Sequence, residues 1–248
     1  MVDKNFYDLN RLREITVTSV EYFKGELKDK SEEELKKLLP HPDGFRYLHE
    51  FKDYDGVKGG ILIVGLNPHL GEKENKEKWE DDYSINKGDD RNTSDLLLEK
   101  YRYFTLFTTD KNMPMEKKNY SMNLSKVEPN IKFTDVVLVR TSSKVELIGK
   151  LEKDASLNRL IEQGWNKFLK PVIELIQPKA IVCNSTDLSS FLECNYASNI
   201  GDELDHVIHI SSNGNTIPVI LYGQVTGQRA IDKWTLERMK QAIIENLD

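Results

Sequence analysis

Four short apolar runs constrain this chain more than any other feature: Ile61-Leu62-Ile63-Val64, Phe133 to Val139, Ala180-Ile181-Val182-Cys183 and Ile217 to Leu221. Each has the length of a strand, and each ends on polar or turn-forming residues. Apolar residues at consecutive positions mark strands buried on both faces, which is the habit of parallel sheets. Segments of helical periodicity lie between the runs, and alternation of this kind builds a sheet covered by helices. The sequence therefore predicts an α/β fold: a three-layer α/β/α sandwich with a central, mainly parallel four-stranded sheet. Its strands are expected at 61–66, 133–140, 180–184 and 217–222, with 61–66 internal.

The remaining elements follow in order. Residues 5–27 read as a helix through Phe6, Leu9, Leu12, Ile15, Val17, Val20 and Phe23, although the β-branched Ile15-Thr16-Val17-Thr18 works against it. Ser31 and Glu34 form a capping-box pattern that opens a short helix to Leu39. Pro40 and Pro42 stop it. Residues 45–51 and 96–107 are further helical pieces, and 108–130 is expected to be mainly loop. A helix over 158–176 carries Pro171, which should kink it or sit at a local start. Ser185-Thr186-Asp187 caps a helix over 187–193. Ser212-Asn213-Gly214-Asn215 predicts a hairpin between 206–211 and the last strand, with Pro218 at that strand's start and the second strand entering the sheet. A final helix spans 230–247. Residues 1–55 read as an N-terminal helical extension, and 56–248 as one α/β domain.

Charge and cysteine content narrow the partners. The chain has 248 residues and a net charge of −6, so no global basic footprint marks it as a nucleic-acid binder. No apolar run approaches the ~18 residues that span a bilayer, and no membrane partner is expected. Two cysteines, Cys183 and Cys194, make neither a disulfide framework nor a metal site. The first residues lack the apolar centre of a signal peptide. A reducing, cytoplasmic setting fits these features. No phosphate-binding loop or dinucleotide fingerprint is present, so no cofactor and no metal are expected. His206 and His209, three apart on an expected strand, should face opposite sides and not share an ion.

The candidate site is the exit of the first strand, Gly65-Leu66-Asn67-Pro68-His69. Gly65 permits a sharp turn and Pro68 fixes the loop. Asn67 is thereby presented at a carboxyl strand end, where open α/β sheets bind ligands. His69 beside it titrates near neutral pH and could give a proton or contact a base. Residues 70–95 form a polar stretch longer than an ordinary connection. Trp79 and Tyr83 stand out in it as aromatic residues able to stack on a planar ligand.

Four segments at the strand ends resemble the uracil-DNA glycosylase superfamily in their order and spacing: GLNPH, FTDVVLVRTSSK, PKAIVCNSTDLSSFL and IPVILYGQVTGQR. GLNPH is similar to the GxNP motif of its mismatch-specific and single-strand-selective branches. The resemblance covers roughly residues 58–245. It implies that Asn67 orients a water for hydrolysis of an N-glycosidic bond in DNA, and that Gly65, Leu66 and Pro68 line the base pocket. Trp79 or Tyr83 would stack on the base, Arg140 would line the pocket, and Arg229 would contact a phosphate. The superfamily's last motif begins with His or Asn followed by Pro-Ser. Here the stretch is Tyr222 to Arg229, with Gln224 as its amide donor. The absent histidine leaves two functions open beside each other. One is a glycosylase acting on damaged or deaminated bases. The other is a non-catalytic module that binds a nucleobase, nucleotide or partner.

Overall fold

The computed structural model describes residues 5–27, 30–39, 56–67, 128, 130–139, 147, 156–196, 206–222 and 233–247. The helical pieces expected at 45–51 and 96–107 and the polar stretch 70–95 lie outside these residues.

The apolar runs form one sheet. Its described strands are β1 (Ile61–Gly65), β2 (Ile131–Asp135), β3 (Ala180–Asn184), β4 (Val207–Ser212) and β5 (Asn215–Tyr222). Their order is β2-β1-β3-β5-β4. β1 pairs in parallel with β2 on one side and β3 on the other, and β3 pairs in parallel with β5. The fold is thus α/β with a mixed, mostly parallel sheet, and β1 is internal as expected.

Three details correct the sequence reading. First, the sheet exceeds four strands, with five among the described residues. The added strand is β4, antiparallel to β5. Asn213 and Gly214 take φ of 50° and 81°, and two successive left-handed residues are what a two-residue hairpin turn requires. Pro218 lies inside β5, not at its start; it pairs with His209, just before the β3 register begins at Val219. At that point β5 is paired on one side only, where a missing N–H does least harm.

Second, β2 runs 131–135, not 133–140. The N–H groups of Val136 and Val137 donate to the carbonyls of Gly65 and Leu66, at 3.0 and 2.8 Å. Successive N–H groups of a pleated strand point opposite ways, so two consecutive donors to one neighbour end the pleat. Val136 to Val139 are nevertheless fully buried.

Third, the helix expected over 158–176 is broken, with Pro171 at the local start of its last piece, one of the two placements expected for it. It comprises α3 (Leu157–Gly164), a π turn (Trp165–Leu169) and α4 (Lys170–Ile176). Pro171 has no N–H for the Lys167 carbonyl four residues earlier. The wider turn absorbs the mismatch and keeps Trp165, Phe168, Leu169, Val172, Ile173 and Ile176 buried.

The sheet separates two apolar clusters by its period of two. Leu62, Val64, Ile181, Cys183, Val219 and Leu221 face one cluster, with α1 (Leu9–Glu26), α3, α4 and α5 (Thr186–Tyr196). Ile61, Ile63, Ala180, Val182 and Ile220 face the other, with Met239, Ala242 and Ile243 of α6 (Lys233–Glu245). The N-terminal helix α1 belongs to the first cluster through Leu12, Ile15, Val20 and Phe23. Its i, i+3, i+4 stripe outweighs the β-branched interruption. The short helix α2 (Glu32–Leu38) has the expected capping box of Ser31 and Glu34.

The amino ends of the strands are tied by charge. Lys132 is fully buried and donates to the Gly59 carbonyl at 3.5 Å and to Asn130 Oδ1. Glu128 accepts from the Asn130 N–H and pairs with Lys179, both at 3.0 Å. Gly60, at φ 76°, lies where a Cβ would be 1.9 Å from the Asn130 carbonyl oxygen. These bonds hold the start of β1.

Candidate functional site at the carboxyl ends of the strands

The exits of β1 and β2 run side by side. The two backbone bonds from Val136 and Val137 bind the β2 exit to Gly65 and Leu66. Beyond them, Asn67 Nδ2 donates to the Val139 carbonyl at 3.0 Å. A carbonyl only accepts, so the atom facing it is the amide nitrogen, which fixes the orientation of the carboxamide. Asn67 is half-buried. The segment it grips is itself closely packed: a Cβ on Gly164 of α3 would fall 2.0 Å from the Val136 carbonyl oxygen. Helix α3 therefore touches the β2 exit backbone to backbone.

Gly65 has a second reason to be glycine. It is in register with Asp135, and a Cβ at Gly65 would lie 2.2 Å from Asp135 Oδ1. The carboxylate thus reaches across the end of β1 into space only glycine leaves. On the other side of β1, the register Val64↔Cys183 continues to Asn184 at the end of β3. Asp135 and Asn184 are 7% and 6% exposed, and both fall on the sheet face that carries α6. Gly65 is flanked there by a carboxylate and a carboxamide.

Ser185 follows at once and caps α5, its Oγ accepting from the Leu188 N–H at 3.3 Å. Cys183 is fully buried, and burial pushes its thiol well above the ordinary range. Neutral and enclosed, it is a core residue and no nucleophile.

Of the expected site residues, Gly65, Leu66 and Asn67 are brought together at this exit. Pro68, His69, Trp79, Tyr83, Arg140, Gln224 and Arg229 lie outside the described residues. His206 precedes β4 at φ 47° instead of lying within a strand, and both it and His209 are exposed. Among the described residues no group of three or more His, Cys, Asp or Glu could hold a metal ion. No described helix is long and apolar enough to cross a membrane.

The sequence reading missed Asp135 and Asn184. Asn184 appears in the sequence as a polar residue closing an apolar run, which was a visible signal, whereas Asp135 stands inside the run read as one strand, FTDVVLVR, and gave none. Their neighbourhood was not visible, because strand register sets it.

The chain matches no protein-family model and no curated protein.

Proposed function

We propose that this chain is a divergent uracil-DNA glycosylase-like hydrolase that cleaves the N-glycosidic bond of a damaged or deaminated base in DNA, in a cytoplasmic setting. One observation carries the reading: Asn67, at the exit of the internal parallel strand, has its amide clasped onto the Val139 carbonyl. A carboxamide held in one orientation at a carboxyl strand end suits the positioning of a water. The separate apolar clusters on the two sheet faces support the three-layer sandwich that such a site requires.

In this reading Asn67 directs water at the anomeric carbon and Gln224 donates to the departing base. An amide is no strong base, so the leaving group supplies much of the driving force. His69 gives a proton or contacts the base, Trp79 or Tyr83 stacks on it, Arg140 lines the pocket, and Arg229 holds a phosphate. Residues 1–55 extend the catalytic domain 56–248.

The test is base release from single- and double-stranded oligonucleotides carrying uracil, other deaminated bases or oxidised bases, with wild-type protein and Asn67→Ala. Release by the wild type and its loss in the variant is the expected result. Absence of release from every substrate, with nucleobase binding retained, would leave a binding module in place of the hydrolase.

A further inference from the structure

β4 closes one side of the described sheet, with β5 as its neighbour. The register shows which of its backbone groups β5 uses. The turn at Asn213-Gly214 makes Ser212 and Asn215 a bonded pair, and bonded pairs alternate along antiparallel strands. Ile210 and Ile208 therefore also exchange bonds with β5. Just before the strand, the Leu221 N–H donates to the His206 carbonyl at 2.7 Å, in phase with that alternation. Val207, His209 and Ser211 point their N–H and carbonyl groups the other way, off the edge of the sheet. Pro218 stands opposite His209, in a pair that exchanges no bond, so its missing N–H takes nothing from β4. Among the described residues no backbone group bonds to this outward row, and the His209 and Ser211 side chains are exposed.

Edge strands of monomeric proteins are ordinarily guarded by Lys or other charges, by proline or by a bulge. Val207 to Ser212 contains no Lys, Arg, Asp, Glu or Pro, and its pairing with β5 runs without a bulge from Val207 to Ser212. The strand at the other edge, β2, carries Lys132 and Asp135. In a chain of net charge −6, an uncharged edge is where two copies can approach.

We propose that β4 is a homodimer interface, in which two copies pair antiparallel across a two-fold axis at His209 and their sheets become one. The row is complementary to itself. His209 faces His209 of the second copy, and Val207 faces Ser211 of the second copy, so every outward N–H meets an outward carbonyl. On the opposite face, Ile208 stands beside Ile210 of the second copy. Both isoleucines belong to the first apolar cluster, so pairing joins that core to its copy. Strand-edge pairing alone is a small contact, and the dimer is of the weak, concentration-dependent class. Because each copy uses the same edge, association closes at two. This interface does not depend on the glycosylase reading.

The test is sedimentation equilibrium of the full chain over a dilution series from low to high micromolar. The expected result is a reversible monomer–dimer equilibrium with no larger species. His209→Lys and His209→Glu change an exposed side chain and leave the bonds between β4 and β5 in place, and amide NMR spectra check both folds. Each variant sets two like charges opposite each other at the axis and should weaken the dimer about tenfold or more. An equal mixture of the two should recover it as a heterodimer, since Lys then faces Glu. A dimer indifferent to both substitutions would move the interface elsewhere and overturn the proposal, and so would a mixture that stays monomeric. A wild-type chain that stays monomeric overturns it too, and leaves the edge to a strand from another protein.

Discussion

Gly164 of α3 and Val136 of the β2 exit meet so closely that a Cβ on the glycine would be 2.0 Å from the valine's carbonyl oxygen and 2.9 Å from its carbonyl carbon. A backbone group cannot swing aside as a side-chain tip can. Gly164→Ala should therefore displace α3 or the β2 exit and cost about 1–3 kcal/mol, the usual range for overpacking a filled core. Urea denaturation measures it. Because Val139 carries the Asn67 amide, the same variant should also perturb amide NMR signals at 65–67.

Asn67→Ala tests the site directly. Deleting the carboxamide removes its hydrogen bond to the Val139 carbonyl, worth about 1 kcal/mol net, from a half-buried position. The fold should survive, with a small fall in denaturation midpoint. If the amide orients the attacking water, base release should fall ~10²–10³-fold, as on losing one preorganised group. Full activity on a cleaved substrate would deprive Asn67 of any part in the reaction.

Ser19 links α1 to the irregular helix. Its Oγ lies 2.8 Å from the Ile15 carbonyl and 3.1 Å from the Lys167 carbonyl, the one that Pro171 cannot serve. Ser19 is fully buried. Ser19→Ala should cost about 1–3 kcal/mol by leaving that carbonyl without this donor. Ser19→Thr keeps the hydroxyl and should recover part of the loss, which thermal denaturation of both variants would show.

Alkaline stability should report on Cys183. Burial raises its pKa above the ordinary 9.0. Above pH 9 the unfolded chain loses this proton while the folded chain keeps it, so stability must fall as pH rises. The slope is about 1.4 kcal/mol per pH unit for one proton. Tyr22 adds to the loss higher up: burial, then its hydrogen bond to Glu26, push it from 10.0 to about 12. From pH 9 to 10 the thiol therefore contributes more of the slope than Tyr22. Cys183→Ala should remove most of the slope there, whatever its own baseline stability. A slope unchanged in that variant would assign the effect to another group.

The sequence by itself determined what depends on neighbours along the chain. Apolar runs of strand length located β1, β3 and β5, because burial on both faces needs apolar residues at successive positions. The Ser31–Glu34 capping box and the Asn213-Gly214 turn were legible because each is closed by residues at most three apart. Asn67 was legible for the same reason, as a polar residue ending an apolar run. Only the tertiary structure decided what depends on register and packing. Pro171 announced a disturbance, but the π turn that answers it keeps Trp165 and Phe168 in a core built with α1. The run from Val136 to Val139 reads as strand because it is apolar, yet it is buried as an irregular exit pinned by Gly164 and gripped by Asn67. Asp135 and Asn184 stand far apart in the chain and no local pattern relates them to each other; parallel pairing through β1 sets them on either side of Gly65. Side-chain period fixes which face a strand residue takes, while only the hydrogen-bonded register of three strands fixes which residues stand beside one another.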